Sequence, residues 1–579
     1  MSRLPTPQQR SFHLLNATQF LGALNDNIFK LLIIYFLIHL KGPENTNTVI
    51  SLAGSLFVIP FLLFSSAAGI LADKVSKRRV IISTKIVEIV VMALGSFAMY
   101  CQSEFFCYTL LFLMGAQSTA FGPSKYSIIP EIVAPENLSK ANGSITALTY
   151  IAMILGSVVS SLLMQATGDN FLLISFVCCA IAVLGTVTSF GIETTNRQTS
   201  NRKASPFFLV DIYKALSLSS KRSFLLPAIL GSSFFLFIGG FVHLNVIPFA
   251  MESLQLSAVA GGYLFAATAI GIAIGARLAG KLSQERVELG LSCLAGFCIV
   301  LLFFLLTIFS QSLIAVVCLL TLLGIFGGLF VIPLESFIQA SSPEKRRGQI
   351  IAANNFLSFG CVFLASSSIY LFNQRWGFSA SGSFVLMGCL TLVCNALIAA
   401  RMSSLFFPYF MEKVALRWIQ LRSLGGIEKP CYMVLQRYRI LDILLLSYVC
   451  KDLHVVAIAR PWSITSFFTS LSNAIFFLRP STNHNTTLQR LFVRAKHLKK
   501  ASNFVAVIVN KNYSEEMILK AYEKTFGKKE PELYLAKVEK EPTKGLLRKR
   551  SYVCSFQKIQ KELPLLEIEE REYQLVGSN

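Results

Sequence analysis

An aspartate between two asparagines, Asn25-Asp26-Asn27, stands with Lys30 in a run, Gln19 to Leu40, that is otherwise apolar enough to cross a bilayer. A carboxylate in hydrocarbon is costly, so such residues face a polar passage or a partner. Asp26 is read in two ways: an ion pair with Lys30 one helical turn on, or a cation contact in a passage with Asn27 beside it. Lys125 follows the helix-disrupting Gly122-Pro123 and is either an anion contact or a headgroup anchor at a helix end. His243 and Asn245 interrupt the apolar stretch "GGFVHLNVIPF", where the imidazole could donate to an anion or bond a helix carbonyl. Glu335 could pair with a basic residue as a gate, or be a loop-end charge. Lys85 and Glu88, three apart, are expected to pair with each other. Asn354 and Asn355 are expected to bond between helices. No catalytic or metal constellation stands out. The 13 Cys are scattered through apolar runs without ligand spacing and read as small buried hydrophobes; no metal and no cofactor is implied.

The elements that must hold these residues are membrane helices. At 54% hydrophobic and 15% charged, with 48 Phe, the chain is too apolar for an ordinary soluble protein. A bilayer core takes about 20 apolar residues as helix, the form in which the backbone bonds itself. Twelve runs suffice: about 14–40, 48–72, 80–101, 105–122, 143–166, 171–192, 223–249, 258–280, 287–309, 312–333, 350–372 and 379–402. The first is too long and too polar inside for a cleaved signal peptide.

Lys and Arg crowd alternate loops, as at Lys74, Lys77, Arg78 and Arg79, or Lys345, Arg346 and Arg347. The positive-inside rule then places both termini in the cytoplasm, which an even number of spans requires. The net charge of +22 divides almost evenly about Ser403, with 25 basic and 15 acidic residues before it and 28 and 16 from it onward. Basic loops beside anionic lipid account for this excess, so no nucleic acid is implied as a partner.

Two segments share one plan. "LLFLMGAQSTAFGPSKYSIIPEIVAPE" ends at Glu136 and "LLTLLGIFGGLFVIPLESFIQASSPE" at Glu344, with Gly115 matching Gly324 and Pro135 matching Pro343. A repeated six-helix unit with a site between the copies is a transporter plan. The expected organisation is a bundle at 1–196, a basic cytoplasmic loop at 197–222, a second bundle at 223–402 and a cytosolic α/β domain at 403–579.

Gly69 to Arg79, "GILADKVSKRR", resembles the loop motif of the major facilitator superfamily, departing from it where Ser76 or Lys77 replaces a second glycine. The resemblance implies close helix packing at Gly69, a helix-capping Asp73, and Arg78 and Arg79 facing the cytoplasm. "GALNDNIFK", "FGPSKYSIIPE", "LSKANGSI" and "GGLFVIPLESFIQ", taken in order, resemble the lysophospholipid transporter family over about residues 10–402. That family flips lysophospholipid across the bacterial inner membrane. The resemblance implies a substrate such as lysophosphatidylethanolamine, with Asp26 toward the ammonium and Lys125 toward the phosphate. Asn27, His243 and Asn245 complete the expected binding set; Lys30 and Glu335 join Gly69, Asp73, Arg78 and Arg79 as gating or structural residues. The rival reading is a proton-coupled solute or drug carrier, with Asp26 or His243 as the titrating group.

Beyond Met402, "PCYMVL", "LHVVAIAR" and "NFVAVIVN" are short buried-strand candidates between helical stretches, an α/β pattern. The tail from about Lys528 is charged and weakly patterned, and partial disorder is expected. The region resembles a degenerate glycerolipid acyltransferase domain. In "QRYRILD" Asp442 is kept, but Arg437 occupies the position of the motif's histidine; "NAIFFLRP" keeps Arg479. A guanidinium cannot serve as the general base. The resemblance therefore implies a non-enzymatic domain, with a separate acyltransferase or acyl-ligase as a partner beside membrane lipid. A bifunctional transporter-acyltransferase is the other alternative.

Overall fold

The computed structural model describes residues 7–193, 207–283 and 287–413 and, further on, 419–424, 431–435, 445–446, 449–450, 453–458, 475–478, 488–493, 495, 504–509, 513–526, 533–540 and 550–558. Among them are twelve helices long and apolar enough to cross a membrane, making this a multi-pass membrane protein. The first six are α1 (Pro7–Lys41), α2 (Thr46–Lys74), α3 (Lys77–Tyr100), α4 (Glu104–Ile132), α5 (Leu138–Thr167) and α6 (Phe171–Phe190). A connecting helix, α7 (Phe208–Ser220), precedes α8 (Leu225–Ser253), α9 (Ala258–Leu282), α10 (Leu289–Ile308), α11 (Leu313–Ser341), α12 (Arg347–Ile369) and α13 (Ala380–Arg401).

The internal repeat is visible in the helix boundaries. Helices α4 and α11 are both 29 residues long and start 209 positions apart (104 and 313). The same offset separates the serines before them: Ser103 accepts from Phe106 N–H and Ser312 from Ala315 N–H, each a side-chain N-cap. Both helices run past the ends expected from hydropathy. Helix α4 does not break at Gly122-Pro123 but continues through Pro123 and Pro130. A packed bundle tolerates proline because neighbouring helices hold the chain where its N–H is missing; Ser127 Oγ adds a bond to the Pro123 carbonyl one turn back, at 2.5 Å. Lys125 and Glu335 accordingly lie inside helices, not at loop ends.

Small residues let the helices approach. On α9 and α11, Gly271, Gly275, Gly324 and Gly328 face one another so closely that a Cβ on any of them would meet backbone of the opposite helix. In the first bundle Phe29, Leu32 and Leu37 of α1 pack with Met92 of α3, Leu111 of α4 and Cys178 of α6. Of the 13 cysteines, expected to be buried, Cys101, Cys318 and Cys389 are exposed.

The 197–222 segment is not all loop. Residues 194–206 lie outside the described residues, but α7 follows, and Ile212 and Ala215 pack against Ala353 of α12.

The chain divides into two compact units, one of Met1–Glu288 with Ala295–Leu392 and one of Leu289–Leu294 with Val393–Asn579. The division therefore falls before Ser403. The second unit takes in the ends of α10 and α13, because α14 (Ser403–Lys413) lays Tyr409 against Gly290. Further on it holds β1 (Ile419–Leu424), β2 (Cys431–Leu435), β3 (Leu453–Ile458), β4 (Ile475–Leu478), β5 (Phe504–Ile508), α15 (Glu515–Phe526), β6 (Leu533–Lys540) and β7 (Arg550–Lys558). The sheet order is β1-β7-β6-β2-β5-β3-β4, with β6 and β7 antiparallel and the other pairs parallel. Central β2 is wholly buried, as a strand covered on both faces must be, and Tyr432 packs 4.6 Å from the Phe526 ring of α15. The three strand candidates appear as β2, β3 and β5. Part of the tail expected to be disordered is the β6–β7 pair, where Leu533–Ala536 are buried.

Candidate functional site

A cavity of about 440 Å³ lies between the two bundles of the first unit, lined from α1, α2, α3, α4, α5, α8, α11 and α12. That volume suits a small-molecule site. Five charged side chains line it: Asp26 and Lys30 of α1, Lys85 of α3, Lys125 of α4 and Glu335 of α11. Phe57, Phe61, Phe121, Phe235 and Phe359 supply the apolar wall, with Phe61 and Phe359 4.1 Å apart across the bundles.

Asp26 sits near the middle of α1, which starts at Pro7 and not at residue 14. Ser118 Oγ donates to its Oδ2 at 3.0 Å, while Oδ1 is buried with no hydrogen-bond partner. The pair with Lys30 is not formed: among the described residues no ion pair within 4.0 Å joins them, and Lys30 Nζ lies 5.6 Å from the Phe57 ring centre. Asn27 lines the cavity, but its amide donates back to the Ala23 carbonyl at 2.7 Å. Lys125 is 7% exposed, with Nζ 4.2 Å from the Tyr126 ring centre, a cation–π contact. Glu335 shares the cavity with Lys125, and among the described residues no ion pair within 4.0 Å joins the two.

Two expected members lie elsewhere. Asn245 is fully buried and donates to the Ala380 carbonyl at 2.8 Å, tying α8 to α13; it is not in the cavity lining. His243 is exposed, its ring edge-on to Phe265 at 4.2 Å, and is also absent from the lining. Residues at two-residue spacing on a helix face different ways, so their shared stretch could not place both in one site.

At the end carrying the basic loops the bundles touch. Gly348 and Gln349 N–H donate to Asp73 at 2.7 and 3.1 Å, so Asp73 of α2 caps α12. A Cβ on Gly69 would fall 2.5 Å from the Ala352 Cβ. Asn142 of α5 and Gln339 of α11 exchange two amide hydrogen bonds at 3.1 and 2.7 Å. Within the first bundle Lys77 pairs with Glu131 at 2.6 Å. Arg78 donates to the carbonyls of Ile192 and Phe190 at 2.5 and 2.8 Å, a cation on the C-terminus of α6. Arg79 is exposed. Arg437, Asp442 and Arg479 lie outside the described residues.

Ser118, the phenylalanine wall and the Asn142–Gln339 pair are not among the residues expected from the sequence. Lys85 pairs with Glu88 as expected and, beyond that expectation, lines the cavity. The stretch "LSKANGSI" holds Asn142, but its partner 197 positions away carries no signal in the sequence.

Residues 15–366 match the profile of the Major Facilitator Superfamily. The chain is 28% identical over 348 residues to the lysophospholipid transporter LplT of Citrobacter koseri, covering 58% of this chain and 82% of that one. It is 29% identical over 345 residues to the protein of that name in Escherichia fergusonii, with the same coverage. Among solved structures, the human organic anion transporter MFSD10 (TETRAN) superposes with TM-score 0.57 at 16% identity, over 68% of this chain and 100% of that one. A bacterial homologue of the iron transporter ferroportin in an outward-facing state gives 0.54 at 14%, over 68% and 99%.

Proposed function

This chain belongs to the Major Facilitator Superfamily, a membrane transporter, and from that premise we propose that its cargo is a lysophospholipid, moved across a bacterial inner membrane by alternating access. The observation that carries this reading is the composition of one cavity. A carboxylate with an unpartnered oxygen, two lysines with no ion pair within 4.0 Å among the described residues, and a phenylalanine wall meet there. The ammonium of lysophosphatidylethanolamine would face Asp26, its phosphate Lys125, and its acyl chain the rings of Phe57, Phe61 and Phe359. Desolvated charge contacts of this kind fix orientation, and the apolar wall adds affinity. The names of the lysophospholipid transporter relatives point the same way.

With the basic loops cytoplasmic, the contacts at Asp73, Gly69 and Asn142 close the cytoplasmic end. Lipid would then reach the cavity from the outer side, and release would require those contacts to part. The region from Ser403 onward is proposed to be non-enzymatic, from Arg437 at the position of a general base. It would dock lipid or a separate acyltransferase or acyl-ligase.

The test is uptake of fluorescent lysophosphatidylethanolamine into proteoliposomes, with and without a proton gradient. Saturable movement of the lysolipid is expected. Movement of a water-soluble compound alone would favour the solute-carrier reading, in which Asp26 titrates. Acyl transfer by the purified full-length protein would favour the bifunctional reading.

A further inference from the structure

Behind Asp26 lies a charged cluster that the proposed transport step does not use. Lys85 Nζ is 2.5 Å from Glu88 Oε2, both side chains are 3% exposed or less, and Asn25 Nδ2 donates to Glu88 Oε1 at 3.0 Å. Asn25, fully buried, is the residue before Asp26 on α1. The chain Lys85–Glu88–Asn25 therefore joins α3 to α1 beside the cavity carboxylate. Gly22, one turn before Asp26, completes the fit: a Cβ there would collide with Lys85 Nζ. Lys85 also lines the cavity, and its ammonium lies 5.2 Å from the Phe121 ring centre.

A buried ion pair in a membrane helix is poor evidence for stability, since apolar replacements often do as well. Its geometry here fits another task. Lys85 is a cation on the same cavity wall as Asp26, yet Glu88 holds it. No ion pair within 4.0 Å joins Asp26 to any lysine among the described residues. One Asp26 oxygen is consequently buried and unpartnered.

We propose that Lys85 and Glu88 are positioning and specificity-determining residues: Glu88 sequesters the Lys85 ammonium and, through Asn25, fixes the rotation of α1, so that Asp26 presents a carboxylate without a counter-ion to a cationic headgroup. Glu88 thus sets the preference for ammonium-bearing over glycerol-bearing lysolipids, a role that rests on the lysolipid reading above. Without Glu88, Lys85 swings to Asp26 and occupies the site meant for the substrate's cation.

The experiment compares wild type, Glu88→Gln and the double variant Glu88→Gln/Lys85→Met, each in full-length chain. Glutamine keeps the acceptor for Asn25, so the fold is preserved, which the elution profile in detergent checks. Glu88→Gln is expected to raise KM for lysophosphatidylethanolamine by about tenfold or more, as loss of a charge-assisted contact does, with kcat and lysophosphatidylglycerol uptake little changed. The double variant, lacking the stray ammonium, is expected to recover affinity. A merely structural pair also predicts recovery in the double variant, since a lone buried ammonium is what destabilises, but with the loss in Glu88→Gln shared equally by both lipids. A second readout needs no substrate: labelling of Asp26 by a hydrophobic carbodiimide, which spares ion-paired carboxylates, should fall in Glu88→Gln and return in the double variant. Equal losses for both lipids, or labelling that does not follow this order, would overturn the proposal. Labelling in the expected order with neither lipid carried would uphold the role of Glu88 and fell the lysolipid reading instead.

Discussion

Asp73, near the end of α2, accepts a 2.7 Å hydrogen bond from the N–H of Gly348, 275 positions later on α12. One side chain thereby caps a helix of the opposite bundle. A carboxylate at a helix N-terminus satisfies orphan donors and meets the positive end of the helix dipole.

Replacing Asp73 by Ala should remove this latch. A lost N-cap costs about 1–2 kcal/mol, a factor of roughly 5–30 in the balance between closed and open forms. Spin labels on α2 and α12 should report a longer-distance population at the basic-loop end. An unaltered distance distribution would argue against Asp73 as a latch.

Gly69→Ala tests the crossing beside it. Its Cβ would stand 2.5 Å from the Ala352 Cβ and 2.7 Å from the Gly348 carbonyl oxygen. Overpacking of this order costs about 1–3 kcal/mol. Thermal stability in detergent should drop and transport should slow, with partial recovery on adding Ala352→Gly. Recovery fails if the collision with Gly348 backbone dominates, which the single and double variants would separate from a complete absence of strain.

The reciprocal amide pair of Asn142 and Gln339, both buried, should behave as a coupled unit. Asn142→Ala leaves the Gln339 amide without these bonds, at a cost of about 1–3 kcal/mol. In a double-mutant cycle with Gln339→Ala, read by the same inter-bundle distances, the effects should be markedly less than additive. Additive effects would show that the two amides act separately.

Charge removal at the cavity gives the fourth prediction. Asp26→Asn keeps an acceptor for Ser118 but no charge. Uptake of lysophosphatidylethanolamine should fall about tenfold or more, and that of lysophosphatidylglycerol less. Lys125→Met should lower both, because both carry phosphate. Unchanged uptake in Asp26→Asn would remove Asp26 from substrate binding.

Much of the architecture was legible because membrane burial imposes length and polarity on each span. All twelve helices and the repeat could be read that way, and Asp73 as a cap followed from its motif. Helix ends were less legible. Pro123 reads as a breaker in isolation, yet with the bundle around it α4 continues to Ile132. Strands β6 and β7 were hidden because alternating charged residues, as in "LYLAKVEK", look solvated until a partner strand is present.

By itself the sequence determined which segments enter the membrane, that they come in two related sets, and that charge is carried inside them. Hydrophobic length and the cost of a lone carboxylate act locally, so the order of residues suffices. Only the tertiary structure decided which charges meet. It left Asp26 without Lys30, bound Lys85 to Glu88, turned Asn245 away from the cavity and joined Asn142 to Gln339. Those choices depend on how helices distant in sequence rotate against one another, and side chains of either arrangement fit the same apolar pattern.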